Sequence, residues 1–441
     1  MAPVANLRMR HLPALPLAIA SALCLSIAPA SPAAAQSGEL PDTARVQLLL
    51  RDGQWIDGRI DTLDSASCTV FRADAGVQAK ASEIALGTVV ACLVNPEQRR
   101  SMEFLTQLAG GTLVFSDGQF LPGVLRTDAR PPRWEHRWIG PVPVKTDVLS
   151  EMRLVATRRA PSRPDADTIL LVNGDIATGF IESIGDEVAL EPPASESKAT
   201  DQTDKPPEAA PPVRRIQADR IAAIAFAALA QPPSSDPLVW TADGSIVRAK
   251  DIGFQADSGW RFLLADPDLG SSDQSKPITS VITKPTAILL DRSALTPLAA
   301  CGQPERRPSE SSYRYETRPE VRIDPPDQAL LGLGSVEFDG PVHARFALPA
   351  AMVDAGGAVC FSAEVALIEP IPLDARASVT VRFVGTAGQT IVLDATKRRA
   401  SILVTHELAK DSALEIVVDD GGNGIAGDRV AVHRGCFIRQ Q

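Results

Sequence analysis

The sequence predicts an all-β protein, a tandem of small barrels followed by an antiparallel β-sandwich. Three observations predict it. Four segments share one hairpin template over residues 44–291. Beyond them, short apolar strands alternate with turns and no long helical pattern appears. Pro (36) and Gly (30) are frequent and aromatics are only 5%, which favours turns and short strands over long helices. With 441 residues, 44% hydrophobic and 22% charged, the chain falls in the globular range and is long enough for several domains.

Residues 1–36 read as a secretory signal peptide. Arg8 and Arg10 form a basic start, Leu12 to Ala28 is apolar, and Ala33-Ala34-Ala35 supplies small residues for cleavage. The alternative is an uncleaved anchor, but no basic stop-transfer cluster follows. After this segment the longest apolar run is Ile221 to Ala230, too short to span a bilayer as a helix. The expectation is a secreted or periplasmic protein with no transmembrane span after cleavage. The body then carries 42 basic against 54 acidic residues, a balance that repels phosphate backbones and excludes general nucleic-acid binding.

The repeats come next: barrel 1 at 44–95, barrel 2 at 105–157, barrel 3 at 166–228 and barrel 4 at 236–291. Each has a strand, an Asp-Gly or Asn-Gly turn, four residues, a small residue and a second strand. The turn glycines are Gly53, Gly118, Gly174 and Gly244; the small residues five places on are Gly58, Gly123, Gly179 and Ala249. A turn of this kind needs positive φ, which glycine adopts freely. A small residue inside the next strand predicts a bulge or sharp bend. Each repeat closes with two apolar pieces split by a polar turn, read as a strand, one helical turn and a closing strand. Barrel 3 carries a Pro-rich, charged insertion at 191–212, expected to be disordered.

These features resemble the SH3-like and Sm-like small barrels. The resemblance lies in the hairpin and the terminal strand pair. In Sm proteins a later strand carries an Arg-Gly or Lys-Gly RNA-binding signature. No repeat here has it in its closing strands, so the resemblance implies the fold alone.

Residues 292–325 read as a linker, and 326–441 as an eight-stranded sandwich. Leu331-Gly-Leu-Gly-Ser335 with Val342 to Leu348, Ala358 to Val365, and Leu414 to Asp428 with its glycine-rich turn together resemble the NPCBM family. That family is a putative carbohydrate-binding module with a galactose-binding-like, jelly-roll sandwich. The resemblance implies sugar binding. Yet 326–441 contains no Trp and no Tyr, the rings on which sugars usually stack.

Candidate sites are few. Asp419, Asp420 and Asp428 offer oxygen ligands of the kind calcium takes; otherwise the cluster makes turns. Asn423, Asp428 and Arg429 are candidate ligand-binding groups beside the same loop. No other cofactor is implied. Export makes disulfides available. Cys68 and Cys92, on neighbouring strand-like segments, form one candidate bridge. Cys301, Cys360 and Cys436 furnish one more, with Cys360 and Cys436 as its candidates; the alternative is buried free thiols. Trp134, His136 and Trp138 alternate and so share one face of a strand, read as the core of barrel 2. There is no GxSxG, no HExxH and no P-loop. The sequence therefore points to a non-enzymatic exported binding or scaffold protein of the cell envelope, with envelope proteins or polysaccharide as partners. The second reading is a carbohydrate-binding accessory protein acting through the NPCBM-like domain. The third is a hydrolase whose residues converge only in space.

Overall fold

Gly53, Gly118, Gly174 and Gly244 all stand at positive φ, between +85° and +93°, each at the tip of its repeat's first hairpin. The computed structural model describes residues 45–72, 81–96, 110–155, 158–193, 213–227, 234–264, 279–280, 285–308, 320–324, 329–419, 421 and 429–440. The leader at 1–36 lies outside the described residues, as do 194–212 of the insertion and Asp420, Asn423 and Asp428.

Repeat 1 runs β1 (Arg45–Leu50), β2 (Trp55–Leu63), β3 (Ser67–Arg72), β4 (Ala81–Ala85), a 3-10 turn and β5 (Val89–Val94). Repeat 2 runs β6 (Gly111–Phe115), β7 (Phe120–Arg126), β8 (Arg133–His136), β9 (Gly140–Pro143), a 3-10 turn and β10 (Leu149–Arg153). Repeat 3 runs β11 (Asp167–Leu171), β12 (Ile176–Ser183), β13 (Glu187–Glu191), β14 (Arg214–Gln217), a 3-10 turn and β15 (Ile221–Ala225). Repeat 4 runs β16 (Leu238–Thr241), β17 (Ile246–Gln255), β18 (Gly259–Leu264), β19 (Thr279–Ser280) and β20 (Pro285–Leu289). In every repeat the first four strands pair in succession and the last returns to pair with the first.

The small residue five places after the turn has a steric cause. A Cβ at Gly123 would stand 2.5 Å from Glu135 O, and Gly58 and Gly179 press equally hard on the backbone of Phe71 and Glu191. Soon after this point the ladder slips, between Ile60 and Thr62, Ile181 and Ser183, and Ala249 and Asp251. The strand bends there and carries the sheet around its core.

The repeats join in pairs through their closing strands. β5 pairs with β20, joining repeats 1 and 4, which also meet where β17 pairs with β2. β10 pairs with β15, joining repeats 2 and 3. Repeats 2 and 4 share one ladder bridge, Phe120 opposite Ile246, and side-chain contacts around it. One apolar core, including Leu48, Trp134, Ile169 and Phe262, runs through all four repeats.

The C-terminal unit is a two-sheet sandwich. Its strands are β21 (Leu295–Pro297), β22 (Glu305–Pro308), β23 (Glu320–Ile323), β24 (Val336–Asp339), β25 (Val342–Ala347), β26 (Ala358–Leu367), β27 (Arg376–Phe383), β28 (Gln389–Asp394), β29 (Arg399–Glu407), β30 (Ala413–Asp419) and β31 (Val430–Arg439). A six-residue helix, α1 (Ala350–Ala355), follows β25. One sheet is ordered β23-β24-β31-β26-β29, with β21 added on β31; the other is β22-β25-β30-β27-β28. Phe338, Phe346, Phe361, Phe383 and Phe437 fill the space between them. Residues 292–325, expected as a linker, instead supply β21, β22 and β23 to these sheets.

The four candidate cysteines are free thiols, which corrects the expected bridges. β3 and β5 are separated in the sheet by β2 and β1, so Cys68 and Cys92 are not ladder neighbours. Burial pushes the Cys68 thiol up to about 12 and Cys92 well above its usual range. Cys360 faces Ile438 and Cys436 faces Ser362, so the two cysteines are diagonal across β26 and β31. Diagonal residues lie about 7–8 Å apart, whereas a disulfide needs Cβ atoms within about 4.5 Å. Their sulfurs point instead at Asp52 O (3.6 Å) and Ser362 O (3.8 Å).

Candidate functional site

The densest polar cluster sits where repeat 2 meets the first hairpin of repeat 4. His136 is buried at the end of β8. Its Nδ1 accepts from the backbone N–H of Trp138 (3.4 Å) and Ile139 (3.2 Å), which leaves the proton on Nε2. Nε2 lies 2.9 Å from Ser245 Oγ, and that hydroxyl donates to Asp243 Oδ1 at 2.7 Å. Thr241 Oγ1 donates to Asp243 Oδ1 (2.5 Å), and Trp138 Nε1 to Oδ2 (2.9 Å). Burial raises the Asp243 carboxyl pKa, but the Thr241 and Ser245 donors and the adjacent His136 outweigh it and hold it below the usual value. Burial lowers the His136 pKa, and nearby Asp243 only partly offsets this.

The cluster has the residue types of a hydrolytic triad but different wiring. A general base needs a free ring lone pair aimed at the serine. Both nitrogens of His136 are already committed, and Ser245 gives its proton to Asp243. The arrangement therefore fastens two repeats together around a neutral imidazole. The expected core face of Trp134, His136 and Trp138 is present in the main: Trp134 and His136 are buried on one face of β8, and Trp138 packs against the same core. Trp134 is core, with Nε1 donating to Leu121 O at 3.1 Å. His136, buried on the same face, also reaches Ser245 of repeat 4, and Trp138 lies just beyond the strand, half-buried.

The two sheets of the sandwich differ in what covers them. The outer face of the six-stranded sheet is docked on the repeats. Ser362 Oγ donates to Gly53 O at 2.8 Å. Arg434 pairs with Glu364 and places its guanidinium 5.0 Å from the Trp55 ring centroid. Cys436 and Ile438 join Leu331 and Leu333 in an apolar cluster with Leu49 and Leu93 of repeat 1 and Trp240 and Leu289 of repeat 4.

The outer face of the five-stranded sheet is polar. One row across it reads Glu305, Arg345, Glu415, Arg382; the next reads Arg307, His343, Val417, Thr380, Thr390. Glu415 Oε2 accepts from Arg382 Nε at 2.8 Å, and its Oε1 lies 3.3 Å from His343 Nε2. Thr380 and Thr390 hydroxyls meet at 2.8 Å, and Arg345 is exposed. Sequence reasoning passed over this face. Its signal was the alternation in Val342-His-Ala-Arg-Phe, where polar His343 and Arg345 stand between buried neighbours.

Of the residues proposed for calcium, Asp419 ends β30 opposite Ser378, while Asp420 and Asp428 lie outside the described residues. Among the described residues no group of three His, Cys, Asp or Glu could hold a metal ion. Of the proposed ligand-binding set, Arg429 places Nε 3.9 Å from Asp339 Oδ1; Asn423 and Asp428 lie outside the described residues. Among the described residues no helix is long and apolar enough to cross a membrane.

No family model matches the chain, and no curated protein matches it. Solved structures do. A family 51 carbohydrate-binding module from Clostridium perfringens GH95, in complex with methyl-galactose, aligns at 14% identity over 32% of this chain and 99% of that chain, with a TM-score of 0.25. The CBM51-2 module in complex with GlcNAc, with INT domains, from Clostridium perfringens ZmpB aligns at 12% identity over 43% of each chain, with a TM-score of 0.24. The CBM22-1 xylan-binding domain of Paenibacillus barcinonensis Xyn10C aligns at 12% identity over 30% of this chain and 88% of that chain, with a TM-score of 0.18. These neighbours are carbohydrate-binding modules.

Proposed function

We propose that the chain is a non-catalytic, exported carbohydrate-binding protein in which four repeats support a sandwich that binds polysaccharide. One observation carries this reading. The sandwich sits on the repeats by one sheet, and among the described residues the outer face of the other exposes Arg345 and, in part, Arg382 beside polar side chains fixed by their cross-strand pairs. Sugar hydroxyls both donate and accept. Arg345, Arg382 and His343 supply donors, Glu415 supplies a carboxylate acceptor, and Thr380 and Thr390 supply hydroxyls that do either. The NPCBM resemblance of this region motivates sugar as the ligand class. The wiring of His136, Ser245 and Asp243 supports a non-catalytic role.

Binding is expected to be weak. All five phenylalanines of the sandwich are buried, so among the described residues no phenylalanine, tyrosine or tryptophan ring of the sandwich is offered to a pyranose face. A dissociation constant of about 1 mM, near −4 kcal/mol, is the expected scale. A glycan array identifies the ligand and calorimetry of the full chain measures it. Arg345→Ala and Arg382→Ala should each weaken binding about tenfold at an unchanged melting temperature, a loss of about 1.4 kcal/mol. No heat with any polysaccharide, or binding indifferent to both substitutions, overturns the reading.

A further inference from the structure

The residue two places after each turn glycine is apolar: Trp55, Phe120, Ile176 and Ile246. In every repeat it heads a three-strand row on the outer face. The rows are Ala91–Leu49–Trp55 in repeat 1, Glu151–Val114–Phe120 in repeat 2, Ala223–Leu170–Ile176 in repeat 3 and Ala287–Trp240–Ile246 in repeat 4. The rows of repeats 1 and 4 lie under the sandwich. In repeat 2, Glu151 pairs with Arg153, whose guanidinium covers Phe120 at 5.7 Å, and Phe120 bridges to Ile246.

Repeat 3 differs. Its row is as apolar as the others; Leu170 and Ala223 are buried in a small cluster with Ala160, but Ile176 at the end of the row is 54% exposed and Val172, across the turn, 49%. Val155, 39% exposed, bonds through its N–H to Ala222 O beside this row and extends the face onto the end of repeat 2. A Cβ at Gly174 would meet nothing within 4 Å, whereas at Gly53 it would strike the sandwich.

We propose that the first hairpin of repeat 3 is a self-association surface, covered by the same hairpin of a second copy of this chain. The chain already makes this kind of contact internally. Hairpins 2 and 4 meet antiparallel, Phe120 opposite Ile246, as two related units do about a twofold axis. A true twofold would set Ile176 against Ile176 in that manner.

Charge singles out the same partner. A twofold interface uses the same patch on both copies and sets residues near its axis against their own copies, so it must be self-complementary. The residue before the turn glycine is Asp52, Asp117 and Asp243 in the other repeats. Asp117 lies 3.4 Å from Arg248, and Asp243 meets His136 and Trp138, so these acids face unlike groups. Repeat 3 alone has an amide there, Asn173, which both donates and accepts. Asp175 is turned back onto that amide, with Asn173 Nδ2 donating to its Oδ2 at 2.7 Å.

Sedimentation of the full chain up to about 100 µM, a range suited to a small interface, tests this. A monomer–dimer equilibrium is expected. Ile176→Asp should weaken it at least about tenfold, and Asn173→Asp should weaken it more at low salt than at high salt. Val124→Asp changes an equally exposed apolar residue off the row and should leave it unchanged. Circular dichroism melting establishes that each variant is folded. A chain monomeric throughout this range overturns the proposal, as does a dimer indifferent to both Ile176→Asp and Asn173→Asp.

Discussion

Gly53 and Gly174 share a backbone conformation but not an environment. Both stand near φ +90°, where a side chain is strained. At Gly174 that strain is the whole penalty, so Gly174→Ala should cost about 1 kcal/mol. At Gly53 a Cβ would also lie 2.5 Å from Leu403 Cδ1 and 2.6 Å from Cys360 Sγ. Overpacking of this kind adds about 1–3 kcal/mol. Gly53→Ala should therefore destabilise the chain clearly more than Gly174→Ala in denaturant unfolding. Equal costs would mean that Leu403 and Cys360 yield freely and that the hairpin is not held by the sandwich. The turn glycines were legible in the sequence because positive φ is a local demand that Asp-Gly and Asn-Gly announce. What each turn touches was not legible, since Gly53 meets residues more than 300 positions away.

At the scale of elements, the contact between β8 and the β16–β17 hairpin should make stability depend on pH. Protonating His136 would place a proton on Nδ1, against the N–H groups of Trp138 and Ile139 that now donate to it. Folding thus favours the neutral ring. Burial lowers the His433 pKa in the same direction, with Glu364 opposing and Arg434 adding to the effect. For a histidine whose folded pKa lies below its unfolded value of 6.5, stability is complete above pH 6.5 and declines as pH falls. Each such residue contributes a slope of up to about 1.4 kcal/mol per pH unit. Urea unfolding between pH 8 and pH 5, at values of about one unit spacing, should show this fall, and His136→Gln should roughly halve the slope. A slope unchanged by His136→Gln would place the titration elsewhere. Asp243 adds a second loss in more acid solution, below its usual 3.8, because its folded pKa is also lowered. The eight sandwich strands expected from the sequence are present; in the five-stranded sheet one buried face imposes a period of two, while β26 and β31, buried on both faces, read as apolar runs between turns. The three before them were missed for an equally physical reason. β21 and β22 have only three or four residues, each ending in proline, and show no period, while β23 alternates over just four residues, too short a run to stand out.

At the scale of the whole molecule, the apolar cluster shared by repeats 1 and 4 and the sandwich decides whether the chain unfolds as one body. Neither side has a dry outer surface there alone. Leu49, Leu93, Trp240 and Leu289 come from the repeats, and Leu331, Leu333, Cys436 and Ile438 from the sandwich. Ile438 is fully buried on the outer side of β31, so Ile438→Asp would leave the sandwich's inner core of phenylalanines untouched while placing an unpaired carboxylate in the joint. Burying such a group costs several kcal/mol, more than the contact of Arg434 with the Trp55 ring across the joint returns. The cheaper outcome is separation of the two bodies, each then unfolding on its own. Scanning calorimetry should show repeats 1 and 4 melting together with the sandwich in the native chain, and two resolved transitions in Ile438→Asp. A single transition that merely shifts to lower temperature would mean that coupling runs through the polar contacts of Ser362 and Arg434. In that case Ser362→Ala combined with Arg434→Ala, rather than Ile438→Asp, should split the transition.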